Sequence, residues 1–324
     1  ILTGDDHIGR GSPSGSSQIF FDRHISQSPP GCSVQDWECI RSSSYGYVGN
    51  TISDAKYAAY TAQGFEFGVH ADAGLANPGA PWCGTWPADM LAQFTAQYNA
   101  LFDKFASLPV QSSERNHCYS WFGYNGPSGW VPYTSTPEGN EAQGIRLDTN
   151  ISYNPSSWAT VNPGYQMGSG MLMRFAQVDS SGVMHRYMDI YNGGTQMNDD
   201  NGQGAAAMRT IVDSYLDAAI GSQGYYGAFV VNMHSDNWYG WSYDGSDQIV
   251  ASAQARHIPV VSGAQMVEWL DGRNSSYFSN ITMTGDVLSF DINQADGARN
   301  LQAMLPTQFG GDPLTLLRRD SNSI

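Results

Sequence analysis

Ser53-Asp54-Ala-Lys-Tyr-Ala-Ala-Tyr-Thr-Ala-Gln63-Gly64-Phe-Glu-Phe-Gly-Val-His70-Ala-Asp72 runs a short helix directly into a strand that ends on a histidine and an acid. Ser53 is placed to cap the helix and Gly64 to end it. Two further apolar runs end in the same way, Ile1-Leu-Thr-Gly-Asp5-Asp6-His7 and Ala228-Phe-Val-Val-Asn-Met-His234-Ser-Asp236. The strands of a parallel sheet or barrel share one face at their C-terminal ends, so the three clusters are expected to converge there. Converging acids and histidines point to metal-assisted hydrolysis.

Outward from this stretch, helix and strand alternate over most of residues 53–271, the pattern of an α/β architecture with a parallel sheet. A helix is expected over 88–107, where Met90, Leu91, Phe94, Tyr98, Leu101, Phe102 and Phe105 recur at helical spacing as a core-facing stripe. A second, 205–220, places Met208, Ile211, Val212, Tyr215, Leu216 and Ala219 on one side. A strand and its loop are expected over 110–119, strands at 144–148, 228–233 and 258–261, and helices at 246–256 and 264–271. The runs 170–178 and 183–191 flank Asp179-Ser-Ser-Gly182 as a β-hairpin insertion. Residues 10–52, rich in Ser, Gly and Pro, read as a long loop. From Asn274 the pattern changes to Ile281-Thr-Met-Thr-Gly-Asp-Val-Leu-Ser-Phe-Asp291, the start of a small β module. The expected division is 1–272 and 273–324.

The hydrophobic fraction of 41% in 324 residues supports a sizeable core, and 36 glycines imply elaborate loops. Lys56 and Lys104 are the only lysines, and the net charge of −15 makes a phosphate backbone an unfavourable partner. No nucleic acid is expected, and no apolar run reaches the length of a membrane span. The four cysteines lack the spacing of a structural zinc site. Two disulfides are expected, Cys32–Cys39 and Cys83–Cys118, the alternative being four buried thiols. With the sequons at Asn150, Asn274 and Asn280, this suits a secreted or cell-surface glycoprotein. The chain opens on a strand without an initiator Met, so a segment upstream of Ile1 is expected.

In order and content, residues 1–271 resemble the polysaccharide deacetylase family, the NodB homology domain. Thr3-Gly4-Asp5-Asp6-His7 is similar to its first motif, a strand ending in Thr-x-Asp-Asp-Gly, and Gly64-Phe-Glu-Phe-Gly-Val-His70 to its second. Arg115-Asn-His-Cys-Tyr119 approximates the third, Arg-x-Pro-Tyr. Leu147-Asp148 resembles the fourth, and Val-Asn-Met-His234 the fifth, Leu-x-His. The chain departs from these motifs at His7 (turn Gly), Gly74 (second His), the missing Pro of the third motif, and Asn232 (Leu).

The resemblance implies a distorted (β/α) barrel and a metal-dependent N-deacetylase of the carbohydrate esterase type. It implies Asp5 as general base, Asp6 and His70 as metal ligands, and Arg115 as the group holding Asp5 ionised. Asp148 would orient the catalytic imidazole and His234 would be the general acid. A further ligand is needed; His117, Asp72, His7 and His185 are the candidates. His117 is favoured because a Cys83–Cys118 bridge would fix its loop beside the His70 loop. Mixed N/O ligation suits zinc, although nickel, cobalt or manganese fit the same set. A backbone N–H near Tyr119 would assist at the oxyanion.

Aromatics in polar loops make good platforms for sugar faces. Trp121, Phe122, Tyr124, Trp130 and Tyr133 lie in one such loop, and Trp238, Tyr239, Trp241 and Tyr243 follow His234. Tyr119, Trp121, Trp238 and Trp241 are the expected contacts to an N-acetylated polysaccharide. Each residue alone has a plainer reading: Asp5 and Asp6 as turn caps, His70 as a structural histidine, Arg115 as a surface ion pair. His24, His185 and His257 keep that plainer reading. The alternatives to an enzyme are an inactive carbohydrate-binding domain, suggested by Gly74 and the aromatics, and a structural cell-surface protein.

Overall fold

The apolar runs that end on polar residues are buried strands in the computed structural model, which describes residues 1–8, 16–76, 83, 90–121, 134–152, 172–179, 181–201, 204–222, 224, 227–319 and 322–323. In chain order the first elements are β1 (Leu2–Asp6), α1 (Ser17–Gln27), β2 (Ser43–Gly46), α2 (Asp54–Thr61), β3 (Glu66–Val69), α3 (Ala73–Ala76) and α4 (Met90–Lys104). They are followed by β4 (Ser113–Glu114), α5 (Ser135–Ala142), β5 (Leu147–Asp148), β6 (Met173–Val178), β7 (Met184–Asn192) and β8 (Thr195–Asn198). Next come α6 (Gly204–Ile220), β9 (Val230–Asn232), α7 (Ser242–Ala255) and α8 (Gly263–Ser275).

Five strands form a parallel sheet in the order β3-β2-β1-β9-β8. Every residue of these strands is buried, as expected where a parallel sheet is covered on both faces. A second sheet has the order β4-β5-β7-β6, in which only β6 runs antiparallel. Among the described residues β1 to β9 pair into these two sheets, and a closed ring of strands is not shown. Since β1, β3 and β9 share one parallel sheet, the three polar strand ends do face the same way.

Local chemistry explains the elements. Ser53 caps α2, its hydroxyl accepting from Lys56 N at 3.3 Å, and Gly64 follows with φ +90°, a value costly for a side chain. Gly4 answers a different need: a Cβ there would lie 2.5 Å from the Met233 carbonyl oxygen, so β1 and β9 approach this closely only without one. The α4 stripe packs inward through Phe94, Tyr98, Leu101 and Phe105, whereas Leu91 is exposed. Met208, Ile211, Val212, Tyr215 and Leu216 of α6 join the same core. Residues 258–261 form no strand, but Val260 and Val261 carbonyls accept backbone bonds from Arg41 and Leu2.

Residues 10–52, expected as loop, contain α1 and the strand β2, which lies between β1 and β3. Cys32–Cys39 and Cys83–Cys118 are both bridged. The chain divides into two compact units, Ile1–Val267 and Glu268–Ile324. The second contains the antiparallel ribbon β10 (Tyr277–Thr284) and β11 (Val287–Asn293), then the short pairs β12–β13 (Gln308–Phe309, Asp312–Pro313) and β14–β15 (Arg318–Arg319, Asn322–Ser323). No helix among the described residues is long and apolar enough to cross a membrane.

Candidate metal centre and its acid–base neighbours

The C-terminal ends of β1 and β3 and the turn after β4 bring His7, His70 and His117 together, with ring centroids 5.3–5.4 Å apart in all three pairings. All three are buried, and one ring nitrogen from each lies within 4.8 Å of the others. Each ring also has an oxygen partner at Nδ1. His70 Nδ1 is 2.9 Å from the Arg115 carbonyl. His117 Nδ1 is 3.5 Å from Asp72 Oδ2, and His7 Nδ1 is 3.3 Å from Asp236 Oδ2. His70, held through Nδ1 by the Arg115 carbonyl, has the outer-shell arrangement usual for a metal-binding histidine. His70 Nε2 is buried with no hydrogen-bond partner among the described residues. Burial, helped by the His117 and His7 rings and opposed by Asp5, lowers the His70 pKa to about 3, so the ring is neutral with a lone pair to give. Three imidazoles suit a borderline ion such as zinc.

Asp6 stands outside this group. Its Oδ2 accepts from Ser17 N (2.8 Å), the Ser17 hydroxyl and Asn50 Nδ2 (2.9 Å), and its Oδ1 accepts from Ile8 N (2.9 Å). Three of these donors crowd Oδ2 and one reaches Oδ1. Asp6 ties β1 to the start of α1, and the geometry groups His7, rather than Asp6, with His70 and His117.

Asp5 faces the triangle from the same strand. Burial alone would raise its pKa, but His70, Arg115, His234 and His7 together hold it well below the usual carboxylate range. Its Oδ1 is buried without a hydrogen bond, 3.6 Å from Arg115 Nη1 and 3.8 Å from His70 Nδ1. Its Oδ2 accepts from Asn232 Nδ2 at 2.8 Å. The fully buried Arg115 guanidinium donates to Thr3 Oγ1 (2.7 Å) and Thr195 Oγ1 (2.8 Å).

His234, with its ring 5.0 Å from that of His7, is held by Asp199, whose Oδ1 lies 2.7 Å from Nδ1 and whose Oδ2 accepts the His234 backbone N–H at 2.8 Å. Burial opposes the charge, but Asp199, with Asp5 and Asp200, raises the His234 pKa to about 10. Asp199 escaped the sequence reading, although Met197-Asn198-Asp199-Asp200 is another strand running into acids.

Asp148, expected beside the imidazole, lies elsewhere. It pairs with Glu114: Asn140 Nδ2 donates to Glu114 (3.0 Å) and Asp148 (2.9 Å), and Asn150 Nδ2 donates to Glu114 (2.7 Å) and Asp148 (3.1 Å). Burial raises both pKa values, that of Asp148 to about 6. Asn150 Oδ1 accepts from Asn116 N at 2.6 Å, so the pair props the turn carrying Arg115 and His117. The buried Asn150 amide is thus engaged within the fold, out of reach as a glycosylation acceptor.

Among the expected sugar contacts, Trp238 sits 5.2 Å from the His7 ring, and the Tyr119 ring covers the Arg115 guanidinium at 5.3 Å. Trp241 packs on the main core and against Tyr239 at 5.9 Å, while Trp121 packs on Phe175 at 6.3 Å. Phe122, Tyr124, Trp130 and Tyr133 lie outside the described residues. His185 pairs on the surface with Asp179 (3.1 Å), and His24 is buried between Ser42 and Ser246.

No protein-family model and no curated protein matches this chain. Among solved structures it is similar to a polysaccharide deacetylase from Bacillus cereus, at 11% identity over 81% of this chain and 90% of that one, with a TM-score of 0.42. It is also similar to a CE4 esterase from Streptococcus mutans, at 12% identity over 81% and 84% of the two chains, again with a TM-score of 0.42.

Proposed function

We propose that the chain is a metal-dependent hydrolase that removes N-acetyl groups from hexosamines of an extracellular polysaccharide. The observation that carries this reading is the buried triangle of His7, His70 and His117, flanked on one side by ionised Asp5 and on the other by protonated His234. These three histidines would hold the ion through one ring nitrogen each. A bound divalent ion supplies Lewis acidity toward the acetyl carbonyl and lowers the pKa of water.

The remaining chemistry belongs to the side chains. Asp5, kept ionised by Arg115, takes the proton from the attacking water through Oδ1. His234, kept protonated by Asp199, gives its proton to the departing nitrogen, because an amide anion is not a viable leaving group. Trp238, beside His7, offers an aromatic face to a sugar ring. The two disulfides suit an oxidising, extracellular setting.

The test is metal content of the purified protein beside amine release from a panel of N-acetylated glycans. One equivalent of zinc, nickel, cobalt or manganese with amine release is the expected result. Glycan binding without turnover would select the inactive carbohydrate-binding alternative. Absence of both metal and binding would overturn the hydrolase reading and leave a structural role.

A further inference from the structure

Tyr119 is built into the site differently from the sequence expectation. Its backbone N–H donates to the Asn116 carbonyl at 3.0 Å, and the next N–H, of Ser120, donates to the His117 carbonyl at 3.1 Å. The turn therefore uses internally the backbone donors that would have faced an oxyanion. Cys118 and Tyr119 both take left-handed conformations, with φ of 55° and 53°, a strained pair for residues with side chains. That turn lays the Tyr119 ring over Arg115 and brings its hydroxyl to the ends of β8 and β9.

Two amides meet the phenol oxygen there. Asn232 Nδ2 donates to it at 2.9 Å and Asn198 Nδ2 at 3.2 Å. The orientation of Asn232 is fixed independently, since the same nitrogen donates its other hydrogen to Asp5 Oδ2 at 2.8 Å and a carboxylate can only accept. A phenol oxygen has two lone pairs and one proton. With both lone pairs engaged, Tyr119 has its proton left to donate. The shared Asn232 nitrogen also keeps that hydroxyl within two hydrogen-bond lengths of Asp5.

We infer that the Tyr119 hydroxyl is a catalytic hydrogen-bond donor to the oxyanion formed when water attacks the acetyl carbonyl, with Asn232 and Asn198 as its positioning residues. This rests on the deacetylase reading above and deepens it. As the water oxygen bonds to the carbonyl carbon, the π pair moves onto the carbonyl oxygen and Asp5 takes the water proton. Tyr119 donates a hydrogen bond to the new charge and keeps its proton throughout. When the C–N bond breaks, the carbonyl re-forms and the His234 proton goes to nitrogen. Asn232, standing where the resembled family has an apolar residue, couples the base to the oxyanion donor.

Tyr119→Phe removes one oxygen and leaves the ring on Arg115. Wild type and Y119F are compared for metal content, for kcat and KM on N-acetylglucosamine oligomers, and for calorimetric affinity toward a glucosamine trimer bearing a methylphosphonyl group, a tetrahedral mimic. Loss of one preorganised oxyanion donor should lower kcat by about 100-fold or more, with KM within about threefold, and should weaken the phosphonate about as much while leaving metal content unchanged. Asn198→Ala should reduce kcat in wild type and add nothing in the Y119F background, because both act through one hydroxyl. Active wild type with Y119F inside threefold in kcat and in phosphonate affinity overturns the assignment of Tyr119 alone, as does full additivity of N198A and Y119F. Wild-type protein that releases no acetate from any N-acetylated hexosamine oligomer overturns the deacetylase reading and this assignment with it.

Discussion

Asp148→Asn and Asp199→Asn separate two accounts of how His234 is oriented. The family resemblance implies that task for Asp148, whereas the structure places Asp199 2.7 Å from His234 Nδ1 and Asp148 in the pair with Glu114. On the structural account D199N should lower kcat by about 100-fold or more, the usual worth of a positioned general acid, and D148N should leave kcat within a few-fold. D148N should instead alter stability. The Asp148 pKa rises from 3.8 to about 6 on folding, so the folded protein binds that proton more tightly. Its contribution is fully favourable below about 3.8, is lost between 3.8 and 6, and stands as a penalty above. A shift of this size corresponds to about 3 kcal/mol. Asparagine does not ionise, but it loses about 1 kcal/mol where its amide meets the Asn150 N–H that Asp148 Oδ1 now accepts. D148N should therefore be slightly less stable than wild type near pH 4 and more stable, by about 2 kcal/mol, near pH 8. Urea unfolding of both proteins across that range measures the difference directly. A difference that does not change with pH would refute the account of the pair, and a large kcat loss in D148N with normal kcat in D199N would restore the role implied for Asp148.

His7→Ala and His70→Ala should each abolish retention of a divalent ion, whereas Asp6→Asn should keep it and lower thermal stability, as metal analysis and calorimetry will show. His24 is buried neutral, its pKa lowered to about 3 mainly by burial. Its stability contribution is present above about 6.5 and is lost as pH falls, by about 2 kcal/mol at pH 5, and His24→Gln should remove that slope in acid unfolding curves. Replacing Cys83 and Cys118 together by Ser should cost about 3–4 kcal/mol for a bridge of this span, measured by denaturant unfolding under non-reducing conditions.

How much of this was legible depended on whether burial was apolar. The strands with hydrophobic runs, β1, β3 and β9, could be read with the polar residues at their ends, and so could the α4 and α6 stripes. Strand β2, the centre of one side of the sheet, could not. Its Ser-Ser-Tyr-Gly has no apolar alternation and is buried through polar contacts: Ser43 donates to Glu66 Oε2 (2.6 Å), Ser44 meets Ser17 (2.8 Å) and Ser235 (2.7 Å), and Tyr45 meets Ser113 (2.6 Å). Strand β8, Thr-Gln-Met-Asn, was missed for the same reason, and Asp199 with it. His7 was legible only as one of four candidates, because a strand-end sequence does not reveal which of two neighbouring side chains turns into the fold and which ties down the next helix.

These polar strands also bear on the chemistry. Thr3 Oγ1 donates to the Val231 carbonyl (2.8 Å) and Thr195 Oγ1 to the Thr149 carbonyl (2.9 Å). Each hydroxyl proton is thereby committed to backbone, which leaves the oxygens as acceptors for the two ends of the Arg115 guanidinium. A buried arginine held only by Asp5 could follow its carboxylate, and the pair could drift together. Held by threonines on β1 and β8, the guanidinium is fixed independently, so Asp5 is kept ionised by a charge that does not move with it. An apolar residue at Thr195 would make β8 easier to find in the sequence and would leave Arg115 Nη2 without that acceptor. The polar content that hides the strand is what steadies Asp5.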